Sequence, residues 1–133
     1  MAELTVEIVT PGRIVYQGRA AFVAATSMSG EIGIFPRHAA LVTRLGTGEA
    51  RVTKPEGDRD ELAIRRGFLK VENDRVTILV TDALRGAEVD REAVTAELVE
   101  TKAALRHPES DEAFETLLER RAWCEARLRI PVA

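Results

Sequence analysis

Few side chains in this sequence have the type and spacing that chemistry needs. The two histidines, His38 and His107, have no Cys or His neighbour at the short spacings that bind zinc, and Cys124 is the only cysteine. A lone cysteine excludes an internal disulfide and a cysteine-based zinc site. Ser27 and Ser29 lack the Gly-x-Ser-x-Gly setting of an activated nucleophile. Gly46-Thr47-Gly48 lacks the Gly-Lys-Ser/Thr ending and the following helix of a phosphate-binding loop, and reads instead as a turn between strands. Carboxylates are abundant, yet no spacing singles out an acid–base pair. His107, beside Pro108, reads as a solvated loop residue. His38, after Phe35-Pro36-Arg37, reads as a structural or interface residue at a strand entry, and Cys124 as a small buried hydrophobe. No catalytic residue, metal site or cofactor is expected, and the chain reads as a non-enzyme.

One charged cluster remains. Arg120, Arg121, Arg127 and Arg129, against Glu119 and Glu125, make the end of the last predicted helix basic. Such residues can compensate the helix dipole on a solvated face. They can equally dock onto an acidic partner surface, where charge complementarity sets register.

The elements that must position these residues fall into two regions. Over the first two thirds, Leu4, Val6 and Ile8 alternate with Thr5 and Glu7, the period of a half-buried strand. Further short apolar runs follow at 14–16, 20–25, 32–35, 40–45, 49–54, 61–65, 68–72 and 75–80. Gly, Pro, Asn and Asp separate them, with Asn73-Asp74 in the position of a tight hairpin turn. This spacing predicts an all-β sandwich or barrel.

The pattern changes after Gly86, where Ala, Glu, Arg and Leu take over. Asp90 is placed to cap a helix carrying Val94, Leu98, Thr101 and Leu105 on one face, stopped at His107-Pro108. Ser110 is placed to cap a second helix, with Phe114, Leu117, Leu118, Arg121, Cys124 and Leu128 at helical spacing and Pro131 as its stop. The expected domains are therefore residues 1–87, β, and residues 88–133, an antiparallel helical hairpin. Helices this short need tertiary contacts to persist, so the hairpin must lie on the β-domain or on a partner. With two docking surfaces it could switch between them.

Composition limits the partners. Hydrophobic residues are 45% and charged residues 31% of the 133, a soluble globular balance. A net charge of -3 carries no basic excess, so nucleic acid is not expected as a partner. No apolar run approaches the ~18 residues of a membrane span. The opening Met1-Ala2-Glu3-Leu4-Thr5-Val6 lacks a basic start and apolar stretch. The chain is thus expected in the cytoplasm, with any membrane association through partners.

The segment Gly30-Glu31-Ile32-Gly33-Ile34-Phe35-Pro36-Arg37-His38-Ala39-Ala40-Leu41-Val42-Thr43 resembles the signature of the epsilon subunits of F-type ATP synthases. Glu3 to Val9 followed by Pro11, the stretch Gly67 to Glu72, Val76 to Val80, and the switch near Val89-Asp90 match in order and spacing. The resemblance implies a β-sandwich of about ten strands with a C-terminal helical hairpin. It implies a non-catalytic stalk subunit that binds the gamma subunit and the ring of c subunits, peripheral to the cytoplasmic face of the bacterial membrane. Ser29, Gly30 and Glu31, with His38 nearby, resemble the loop that meets the c-ring. The hairpin of this family can fold against the sandwich or extend along gamma into the alpha/beta headpiece, blocking hydrolysis. Arg120, Arg121 and Arg127 match the basic face that meets an acidic loop of the beta subunit in that state.

Two departures are visible. Some members bind ATP through Ile/Leu-Asp-x-x-Arg-Ala, but here Asp90 is followed by Ala93 where the Arg belongs. Arg91 lies two positions early, roughly 200° around the helix, so ATP binding is not expected. Arg66 also replaces the first glycine of a Gly-Gly pair. The rival reading from composition alone is a free-standing β-sandwich binding module whose helical tail stays on its own domain.

Overall fold

The computed structural model describes residues 2–132. Seven strands form one hydrogen-bonded ladder, in the order β2-β1-β7-β6-β5-β3-β4. They are β1 (Leu4–Val9), β2 (Ile14–Ala20), β3 (Phe22–Ser27), β4 (Gly30–Ile34), β5 (Leu41–Thr53), β6 (Arg59–Glu72) and β7 (Arg75–Arg85). A one-turn 3-10 helix at Gly86–Glu88 leads into α1 (Arg91–Ala104) and α2 (Asp111–Arg129).

The strand count is seven, against about ten implied by the resemblance; the nine runs read from the sequence become seven because glycines that read as turns lie inside two long strands. Gly46-Thr47-Gly48 sits within β5 and Gly67 within β6. These strands bend there and do not end. β5 pairs with β6 on both sides of the break, Leu45 opposite Gly67 and Gly48 opposite Ile64, while 46 and 47 go unpaired. β6 and β7 likewise skip Arg66 between Arg65↔Asp82 and Gly67↔Val80, and Arg66 has φ +24°. Gly67 is required by close approach: a Cβ there would collide with the Leu79 carbonyl and lie 2.7 Å from Val80 Cα. Bent strands carry the ladder from one layer of the sandwich into the other.

Within each half the alternation seen in sequence holds. Leu4, Val6 and Ile8 of β1 are buried together with Leu69, Val71, Val76 and Ile78. Val23, Ile34, Ala50, Val52, Leu62 and Ile64 complete the same core from the second layer. Every fully buried member of this cluster lies within β1–β7, so the sandwich has a hydrophobic core that does not draw on the helices. The β6–β7 hairpin turns on Asn73 and Asp74, both at positive φ (50° and 60°), as a tight two-residue turn demands. One pairing has no local signature: β1 runs parallel to β7, Val6 opposite Val76, in an otherwise antiparallel ladder.

Tyr16, the only tyrosine, is buried against the side chain of Arg85, whose guanidinium lies 5.2 Å from the ring centroid. Burial, and then the Asp60 carboxylate beside it, push its phenol up to about 12.

Candidate functional site

Both helices begin where capping chemistry allows. The Asp90 carboxylate accepts from Ala93 N at 3.1 Å, and Ser110 Oγ accepts from Ala113 N at 3.0 Å. The predicted face of α1 is observed: Val94 and Thr101 are buried, Leu98 and Leu105 half-buried. The predicted stripe of α2 is observed in part: Cys124 is buried as expected and Leu117, Leu118 and Leu128 are half-buried, but the burial centres further along the helix. Phe114 is 41% exposed, and the buried residues are Trp123, Cys124, Ala126 and Ile130. The reason is that α2 packs on two sides at once, against α1 and against the sheet at β5 and β6.

The seat on the sheet is small. Trp123, Ala126 and Ile130 pack on Ala63 of β6, with Leu84 and Val89 at the margin. Arg65 and Arg127 flank the indole, 5.7 and 4.9 Å from its centroid.

Around that seat is a polar clasp. Glu119 of α2 accepts from Arg65 Nη2 at 2.7 Å and Nε at 3.1 Å, and from Thr47 Oγ1 at 2.7 Å. Thr47 also accepts from Arg66 N at 3.3 Å, so the bend of β5 and β6 is itself part of the clasp. Burial pushes the Glu119 carboxyl up, but the Arg65 guanidinium and Thr47 hydroxyl outweigh it and hold it below the ordinary carboxylate value. Further along, Arg129 pairs with Glu49 at 2.6 Å.

A second hub ties the two helices together. Glu97 of α1 pairs with Arg120 at 3.2 Å and Arg127 at 3.3 Å. Burial pushes its carboxyl up, and these two arginines, with the Cys124 thiol, bring it below the ordinary value. The Cys124 thiol is itself pushed up by burial and then by Glu97. Of the predicted basic face, Arg120 and Arg127 therefore converge on one carboxylate. Arg127 also donates to Trp123 O at 3.2 Å, and its side chain is only 12% exposed. Arg121 stands apart, with Glu125 one turn on at 3.9 Å.

The other predicted residues lie elsewhere. Ser29 lies in the β3–β4 turn, where its N donates to Ser27 Oγ at 3.2 Å, and Gly30 opens β4. Glu31 follows in β4 and is ion-paired with Arg51. His38 comes after the opposite end of β4, a strand length of about 13 Å, with Nδ1 2.7 Å from Ala39 O. It lines a shallow hollow with Arg37, Asn73 and Asp74. The structure thus groups Ser29, Gly30 and Glu31, and does not bring His38 to them. Asp90, the remnant of the ATP motif, has its carboxylate engaged in capping. Among the described residues, no group of three His, Cys, Asp or Glu side chains could hold a metal ion. No described helix is long and apolar enough to cross a membrane.

Glu97 and Arg65 were not singled out in sequence, and Glu119 and Thr47 were read only as a counter-charge and a turn residue. The Glu119 clasp joins residues 54 and 72 positions apart, which no local pattern displays. Trp123 was legible: it is the only tryptophan, and it stands three and seven residues before Ala126 and Ile130.

The comparisons with known proteins agree with this architecture. Residues 3–86 match the family model "ATP synthase, Delta/Epsilon chain, beta-sandwich domain". The ATP synthase epsilon chain of Brevibacillus brevis is 42% identical over 114 residues, 84% of this chain and 86% of that one. That of Thermosynechococcus vestitus is 37% identical over 133 residues, 98% of this chain and 94% of that one. A chain of the Euglena gracilis mitochondrial ATP synthase, at 22% identity, shares the fold with a TM-score of 0.83 over 96% of this chain and 80% of its own. With the sandwich matched by the family model and the relatives spanning both sandwich and hairpin, the chain belongs to the epsilon-chain family of ATP synthases, a non-catalytic class of subunit.

Proposed function

We propose that this chain is a central-stalk subunit that couples the c-ring to the catalytic headpiece through gamma, and that its hairpin restrains ATP hydrolysis when it leaves the sandwich. The observation that carries the reading is the state of the basic face. Arg120 and Arg127 are paired within the hairpin by Glu97, and the hairpin is held to the sheet by a clasp around Glu119 and few apolar contacts. Contacts of this kind are exchangeable, since an acidic partner surface can replace Glu97 ion for ion. On release, Arg120, Arg121 and Arg127 would face the acidic surface of the alpha/beta headpiece.

The sandwich supports the coupling part. Its outward face at β1, β7 and β6 carries Val9, Phe68 and Leu79 side by side, with Phe68 49% and Leu79 48% exposed. The hairpin docks on the other part of β5 and β6, near Thr47 and Arg65, and leaves this apolar face open. An exposed apolar patch of this kind suits a permanent partner, here gamma. Ser29, Gly30 and Glu31, with His38 beyond, are assigned to the c-ring contact. The chain then works as a peripheral component at the cytoplasmic face of the bacterial membrane. No ATP site is proposed, because Asp90 caps α1 and no Arg stands at 93.

The test is ATP hydrolysis by the matching headpiece, gamma included, stripped of this subunit and titrated with the full chain and with a chain ending at Ala87. The full chain is expected to bind and slow hydrolysis, and the shorter one to bind without slowing it. Binding by both with no slowing removes the regulatory part. Binding by neither removes the stalk assignment in favour of a free-standing binding module.

A further inference from the structure

The sandwich and hairpin meet at a backbone seat. Gly86 opens the 3-10 turn after β7 and is buried. A Cβ built on it would collide with the Pro131 carbonyl oxygen and lie 3.0 Å from the carbonyl carbon of Val132. Its φ is outside the left-handed region, so the position needs space and not backbone freedom. Pro131 and Val132, just after α2, rest in the notch that the missing side chain leaves.

Two further contacts hold that segment down. Ile130 is 2% exposed within the cluster of Ala63, Trp123 and Ala126. Arg91, the first residue of α1, donates to Leu128 O and, at 3.3 Å, to Ile130 O. The start of the hairpin, its end and the last turn of the sandwich therefore converge on one point. Residues 86–90 are the only covalent link between the two parts. A swing of the hairpin about that link must unseat Pro131 and Val132.

We propose that Gly86 is the seat of a gate: Pro131 and Val132 occupy its notch in the docked form, and hairpin release requires them to leave it. The inference rests on the reading that the hairpin leaves the sandwich. Because the obstacle to a side chain at 86 is backbone, no rotamer change relieves it. Gly86→Ala therefore penalises the docked form and leaves the released form unhindered.

The experiment compares trypsin cleavage within α2, at Arg120, Arg121 and Arg127, in the unmodified chain and Gly86→Ala. Each is made as the full chain and as a chain ending at Ile130, which keeps the buried Ile130 and removes the residues that face Gly86. In the full chain the substitution is expected to raise the cleavage rate by about tenfold or more, through local opening. In the shorter chain, which lacks the seated segment, it is expected to add nothing, the non-additivity of two groups in contact. Arg91→Ala, which withdraws two donors without adding an atom, is expected to raise cleavage in the full chain as well. Unchanged protection in both variants overturns the gate. An equal increase in the shorter chain with Gly86→Ala also overturns it, since the glycine would then act through the sandwich alone. Faster cleavage with unchanged inhibition of the headpiece keeps the gate and removes the regulatory role of the hairpin.

Discussion

Replacing Glu119 by Gln should loosen the hairpin and nothing else. The carboxylate accepts three hydrogen bonds, two from Arg65 and one from Thr47, and its side chain is 15% exposed. A hydrogen bond to a charged group contributes about 1.5–3 kcal/mol when shielded, and a fully exposed ion pair about 1 or less. Arg65 is 34% exposed, which places this clasp between those limits. Gln keeps one acceptor oxygen and loses the charge, so the expected loss is about 1–2 kcal/mol. That is about a 5- to 30-fold fall in the docked-to-released ratio. Amide hydrogen exchange reads it directly: α2 should exchange faster by that factor while residues 67–72 of β6 keep their protection. The clasp also has a pH signature. Because the folded pKa of Glu119 is depressed, its contribution is complete above the ordinary value of 4.5 and is lost as pH falls through the folded value. Protection of α2 should thus be flat through neutrality and fall only in acid, and Glu119→Gln should weaken that acid step. Unchanged α2 exchange, or equal acceleration in β6, would refute the reasoning, because the pair would then support either nothing or the whole fold.

Two further predictions use single-copy residues as reporters. Glu97→Gln withdraws the charge that pairs Arg120 with Arg127 and lies beside Cys124, so iodoacetamide should label the buried thiol several-fold faster, roughly fivefold; an unchanged rate counts against Glu97 as the tie between the helices. Tyr16 should ionise near 12 by ultraviolet difference absorbance, not at its ordinary 10.0. A raised folded pKa contributes stability below 10.0 that is lost as pH climbs to about 12, so the sandwich should weaken in that window, and Tyr16→Phe should flatten the alkaline loss.

Much of the fold was legible because the signals are local. The alternation of β1, the Asn73-Asp74 turn, and the caps at Asp90 and Ser110 each depend on neighbours within a few residues, and each is observed. The strand count was not. Gly46, Gly48 and Gly67 carry the composition of turns, yet cross-strand partners tens of residues away keep β5 and β6 continuous through their bends. The buried face of α2 was legible only in part for a similar reason: periodicity found Cys124 but gave weight to the exposed Phe114 and passed over Trp123 and Ala126, which are selected where the helix meets the sheet.

The sequence by itself determined a β region followed by a capped helical pair, the absence of any spaced catalytic set, and, through the Gly30 to Thr43 segment, a family resemblance. Those follow from backbone preference, burial period and residue order, all readable along one dimension. Only the tertiary structure decided which charges meet. Glu119 with Arg65, Glu97 with Arg120 and Arg127, and Gly86 beneath Pro131 join residues 23 to 54 positions apart in chain. Pairs at such separations exist only after the sheet has bent and the hairpin has lain across it, since a charge or a missing Cβ exerts its effect over a few ångströms of space and not along the chain.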